Sequence, residues 1–140
     1  MTADLVAFLR ARLDADEQAA QDAGGKAWKW EQHYGDMCND PTCEYGELAT
    51  DDTVLMNVHG YDIRSPWQGA AHIERHHPAR VLADIEATRK IVDGLAELDA
   101  NPALLTDAAL HLQRHVLLSV VLQLAAVHAG HPDYRPEWRP

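Results

Sequence analysis

Positive charge is scarce in this chain. Twelve lysines and arginines stand against 22 aspartates and glutamates, for a formal net charge of −10. From Glu31 to Asp62 there are eight carboxylates and no lysine or arginine. Nonspecific binding to a phosphate backbone needs clustered cations that displace counterions, so none is expected. An acidic surface chiefly serves solubility, and a basic protein partner is the sharper reading. Long hydrophobic runs are missing as well. The most apolar stretch, VLLSVVLQLAAVHAG at 116–130, is interrupted by Ser119, Gln123 and His128. It is too short to span a bilayer. The opening MTADLVAFLRARLDADEQAAQ has no cationic leader before an apolar core, so no secretory signal is read and a cytoplasmic location is expected. Cysteine is confined to Cys38 and Cys43. In a reducing compartment these are thiols or metal ligands rather than a structural disulfide. What remains is 140 residues of ordinary apolar content, enough for one domain with its own core.

The expected fold is α+β, with three to four helices and a small antiparallel β-hairpin in a single domain, 1–140. Residues 2–22 read as a helix: Thr2 caps it, Asp4 meets its positive end, and Leu5, Phe8, Leu9 and Leu13 share one face. Gly24-Gly25 ends it. Residues 26–64 read as a hairpin carrying an acidic loop insertion at about 36–52. Trp28 and Trp30 alternate with Lys29 and Glu31, and Val54, Met56 and Val58 alternate on the return. Residues 66–129 read as a helical core. A break is expected at His77-Pro78, because the residue before proline leaves the α region and proline suits a first helical turn. Val81, Leu82, Ile85, Thr88, Val92 and Leu95 mark the inner face of the next helix. A last helix is expected over about 102–129, buried on most sides, with Asp107, His111, His115, Ser119 and Gln123 as a narrow polar stripe. The tail 130–140, rich in proline and aromatics, is expected to lie across the domain.

The candidate chemistry is sparse. Cys38-x4-Cys43 with His72 and His76, one helical turn apart, would make a Cys2His2 zinc set, which serves structural rather than catalytic zinc. The plainer alternative has the thiols in a loop and the histidines at helix ends. His111 and His115 with Asp107 behind them could orient an imidazole for acid–base work, or form a solvated stripe. If the two histidine pairs faced each other they would suit a small metal-dependent hydrolase. Ser65 and Ser119 lack a nucleophile context. The acidic loop disfavours a thiolate at either cysteine. No catalytic residue is assigned, and no cofactor beyond the zinc alternative. Gly24-Gly25-Lys26 follows a helix rather than a strand, which excludes a phosphate-cradling loop. Trp28, Trp30, Trp67, Tyr134 and Trp138 are packing residues or a recognition surface. Arg64, Arg75, Arg80 and Arg89 pair with the acidic loop, or form an anion patch.

Three segments, DLVAFLRARLDADEQAA (4–20), AAHIERHHPARVLADIEATRKIVD (70–93) and the HPDYRPEW-bearing tail (131–139), resemble a family of small actinobacterial and actinophage proteins of unknown function. They cover about a third of the chain. The family pattern has an aspartate where His77 stands, so a poorer N-cap is implied here. Some family members carry a Cys-x-x-Cys cluster between the middle segment and the tail, which this chain replaces with an apolar helix. The resemblance implies no activity. The best expectation is a small acidic noncatalytic interaction or regulatory module with a protein partner; oligomeric state is not readable.

Overall fold

The computed structural model describes residues 2–34, 44–59 and 66–140. Four helices and one sheet follow in the order α1 (Thr2–Asp22), β1 (Lys29–Tyr34), β2 (Glu44–Ala49), β3 (Val54–His59), α2 (Pro66–Arg75), α3 (Pro78–Ala100) and α4 (Ala108–Ala126). Short 3-10 turns precede α4 at Pro102–Thr106 and close the chain at Pro136–Trp138. The α+β expectation holds at this level. The described chain divides into two compact units, Met1–Gln18 with Asp84–Pro140, and Ala19–Ala83.

The first unit is helical. Its core is Leu5, Val6, Phe8 and Leu9 of α1, Val92 and Leu95 of α3, Val121 and Ala125 of α4, and Trp138 of the tail. Leu5, Val92, Leu95, Val121 and Ala125 are completely covered. Full burial of a side chain of this size is worth about 1.5–3 kcal/mol, so this cluster is the main source of cohesion here. Two cationic clamps join α1 to α3. Arg10 reaches Asp93 at 2.5 Å, and Arg89 reaches Asp14 at 2.5 Å and Glu17 at 2.7 Å. Hydrogen bonds from Arg89 to Glu17 and Asp14 hold its guanidinium above its ordinary pKa.

The last helix departs from expectation twice. It starts at Ala108, because the Asp107 carboxylate accepts from the Ala109 amide at 2.8 Å and the Leu110 amide at 3.3 Å. Those amides have no partner within the helix, so an aspartate there sets the start and the preceding turn stays 3-10. Nor is α4 buried on most sides. Only Val121 and Ala125 are buried, while Leu112 and Val116 are 65% and 56% exposed. Apolar side chains surround the helix, but packing covers just one edge of it.

The second unit holds the sheet, in strand order β1-β2-β3, antiparallel throughout. The expected two-stranded hairpin is thus a three-stranded sheet, and its centre, β2, comes from the segment expected to be loop. Trp30 lies opposite Leu48 and Gln32 opposite Gly46; Met56 and Val58 continue the same rows on β3. Opposed residues share a face, so Trp30, Gly46, Leu48, Met56 and Val58 line one side. The Trp30 ring occupies the space above Gly46, and a Cβ there would sit 1.9 Å from Trp30 Cζ2. Glycine is what lets this indole lie flat across the central strand. A register shift between Leu48 and Ala49 re-aims the strand end, and Val54 and Met56 are about half exposed.

At the α2–α3 joint, His77 does cap. Its Nδ1 accepts from the Arg80 amide at 3.1 Å, the bond an aspartate would otherwise take. Pro78 then opens α3 with no N–H to satisfy.

Candidate functional site

Cys38 and Cys43 lie outside the described residues. His72 and His76 stand on the exposed end of α2 with ring centres 4.4 Å apart. His111 and His115 on α4 are also exposed, with nearly parallel rings 6.2 Å apart. Among the described residues, no third histidine, cysteine or carboxylate ligand joins either pair. Asp107, expected behind His111, is instead spent on capping α4.

One potential ligand cluster was not anticipated. Glu31, His33 and Glu47 bring their ligand atoms within 4.8 Å of one another on the second face of the sheet. His33 Nε2 is 3.1 Å from Glu47 and 3.8 Å from Glu31, and its ring stacks on Tyr45 at 5.1 Å. His33 Nε2 is itself closed to solvent and makes no hydrogen bond among the described residues, while Glu31 stays open to water. The cluster's only sequence signal was the period-two spacing of Glu31 and His33.

The most developed site lies in the helical unit, where the tail meets α1. Phe8 sits at its centre, with the rings of His131, Tyr134 and Trp138 at 5.8, 6.1 and 5.1 Å. Arg135 bonds Asp4 at 2.8 Å and lies 5.4 Å over the Trp138 ring. Arg12 lies 5.8 Å over Phe8 and hydrogen-bonds His131 Nε2. A guanidinium can only donate, so Nε2 is the acceptor of that bond, while Nδ1 faces the Asp133 amide at 3.2 Å.

Three donors in this cluster have no partner among the described residues: Arg12 Nε, Tyr134 OH and Trp138 Nε1, all closed to solvent. Trp138 is only 2% exposed. Burying a donor without an acceptor is costly, so these three atoms mark where packing has overridden hydrogen bonding. Arg12 is also short of counter-charge. Of the three partly buried arginines described, Arg89 has Asp14 and Glu17 and Arg114 has Asp99. Among the described residues Arg12 has only the His131 nitrogen. Beside it opens a cleft of about 260 Å³ lined by Asp4, Phe8, Arg12, Asp133, Arg135 and Trp138, among others. A larger cavity of about 350 Å³ lies between α1 and α3. Its walls are mainly alanine and valine, and its charged residues Arg10 and Asp99 are already paired. It has no comparable demand for a polar ligand.

A family model matches residues 2–140, which is nearly the whole chain. The chain belongs to a family of unknown function, DUF6221. No curated protein and no solved structure matches it. Membership therefore supplies a boundary and no chemistry, and the chemistry has to come from the cleft. Sequence reading singled out both walls of that cleft, the α1 segment and the tail. It did not join them, because Arg12 and His131 are 119 positions apart.

Proposed function

We propose that this protein is a noncatalytic binding module whose cleft between α1 and the tail takes a ligand carrying an oxyanion, a carboxylate or a phosphate group. One observation carries the reading: the Arg12 guanidinium lines the cleft, is partly buried and is unmatched by any described carboxylate. The planar guanidinium of Arg12, which lines the cleft, offers N–H groups to such an anion. Asp4 does not repel such a ligand strongly, since Arg135 neutralises it at 2.8 Å. The ligand is bound rather than transformed, because the nearest acid–base group, His131, already has its Nε2 lone pair engaged by Arg12. A cytoplasmic setting in an actinobacterium or its phage goes with this reading, on the resemblance of the three segments.

The test is a titration of the full chain with inorganic phosphate and with acetate, each against chloride at matched ionic strength. The indole N–H resonance of Trp138 should move, and the Tm should rise as ligand binds the folded state. Arg12→Lys, which keeps the charge and loses the fork, should abolish both responses. An indole resonance that stays in place with both anions would overturn the reading.

A further inference from the structure

We propose that a second copy of this chain covers the exposed face of α4, so that the protein is a reversible homodimer through this helix. Leu112, Val116, Val120 and Val127 are 65%, 56%, 36% and 80% exposed. At about 100° per residue these four fall within an arc of about 80°, while Val121 and Ala125 point roughly the opposite way. The helix thus has one edge in the core and the other edge apolar and open. Large exposed apolar patches on soluble domains mark interaction surfaces.

Charge decides the occupant. The chain carries 22 carboxylates, yet α4, Ala108–Ala126, has none. Its one arginine, Arg114, is held by Asp99 at 2.5 Å. The polar residue within the open arc, Gln123, is neutral, as is Ser119 at its border. A basic partner finds no carboxylate to read there. A lipid surface is a poor match as well, because helices that lie on membranes carry free lysines and arginines along the polar face. Insertion across a bilayer conflicts with the buried edge at Val121 and Ala125, although the 19-residue length alone would allow it. Two copies of an acidic chain repel elsewhere, but not along a stripe free of carboxylates. Interface cores are depleted of charge in the same way, and two-fold pairing needs only that the stripe match itself. A helix of this length offers a footprint of about 28 Å by about 10 Å per copy. That is about a third of the roughly 800 Å² per partner of a standard interface, so association through this helix alone should be weak and concentration-dependent.

Sedimentation velocity of the full chain, from about 5 to about 500 µM, brackets the expected micromolar range. The mass should move from 15.6 kDa towards twice that value as concentration rises. Val116→Glu and, separately, Gln123→Glu place a carboxylate on the stripe, and each should hold the chain at 15.6 kDa throughout. Gln123→Glu removes no apolar contact, so it serves even if Val116→Glu misfolds. A wild-type chain that stays monomeric over the whole range overturns the proposal. So does a dimer that both variants form equally, or wild-type chain that floats with phosphatidylcholine vesicles instead of pairing.

Discussion

Leu95 of α3 and Leu48 of β2 are both leucines with almost no exposed surface, 0% and 2%. Their company differs. Leu95 belongs to a core of nine residues drawn from α1, α3, α4 and the tail, several of them completely covered. Leu48 sits on a sheet face whose neighbours Met56 and Val54 are half open, and no described sheet residue belongs to the nine. One unit is held by closed side-chain packing. The other has a smaller buried set, Tyr45, Leu48 and Val58 of the sheet with Ala70 of α2, beside its backbone ladder, one indole laid over a glycine, and charged residues around the β2–β3 turn.

The largest expected effect tests the closed core. Leu95→Ala should cost about 2–5 kcal/mol, because the surroundings cannot collapse into the space left. Leu48→Ala should fall at the low end of that range, since a half-open face can relax. Denaturant unfolding of both variants measures the difference. If Leu48→Ala proves the costlier, the contrast between the two units fails.

A middle-sized effect tests the sheet. The Cβ added by Gly46→Ala would lie 1.9 Å from Trp30 Cζ2 and 2.6 Å from Cε2 and Cη2, so the indole must leave. Overpacking of this kind costs about 1–3 kcal/mol. The Trp30 emission should shift towards that of an exposed indole, and Gly46→Ala combined with Trp30→Leu should recover part of the loss. Unchanged emission in Gly46→Ala would show that the ring does not rest on this glycine.

That same glycine explains what could be read in advance. Long helices with period-3.6 apolar spacing, such as Leu5-Phe8-Leu9-Leu13, announce themselves because the pattern is local. The break at Pro78 does too. The central strand EYGELA carries two glutamates and a glycine, residues depleted in strands. Its stability comes from partners on both sides and from Trp30, none of which is local. Burial on α4 failed for a related reason: the composition of a helix shows how much apolar surface it has, not how much of that surface finds a neighbour. Asp107 was legible as a polar residue but was placed within a helix it in fact begins. The cleft is the extreme case. Both of its walls were conspicuous in sequence, yet only tertiary packing brings Arg12 to His131.

The smallest effect isolates the electrostatic part of the sheet unit. Lys26 bonds Asp52 at 2.8 Å and Lys29 bonds Asp51 at 2.9 Å, flanking the turn in which the Thr50 amide donates to Thr53. Hydrogen bonds from Lys26 and then from the Thr50 hydroxyl hold the Asp52 carboxyl at a pKa of about 2, and Lys29 holds Asp51 below its ordinary range. A carboxylate depressed in the folded state binds fewer protons there than in the unfolded chain. Its contribution is therefore fully present above the ordinary carboxylate pKa, near 4, and is lost as the pH falls towards the folded value. All these groups are open to solvent, so the effect should appear as local loosening rather than global unfolding. Hydrogen exchange at the Thr50 amide should accelerate, relative to its intrinsic rate, as the pH drops from about 4 towards about 2. Asp52→Asn should remove most of that pH dependence, while amides in the buried turns of α3 stay protected in both proteins. If the Asp52 carboxyl titrates at the ordinary value by carbon NMR, the turn is not held by this pair, and the ladder alone must account for the order of the sheet.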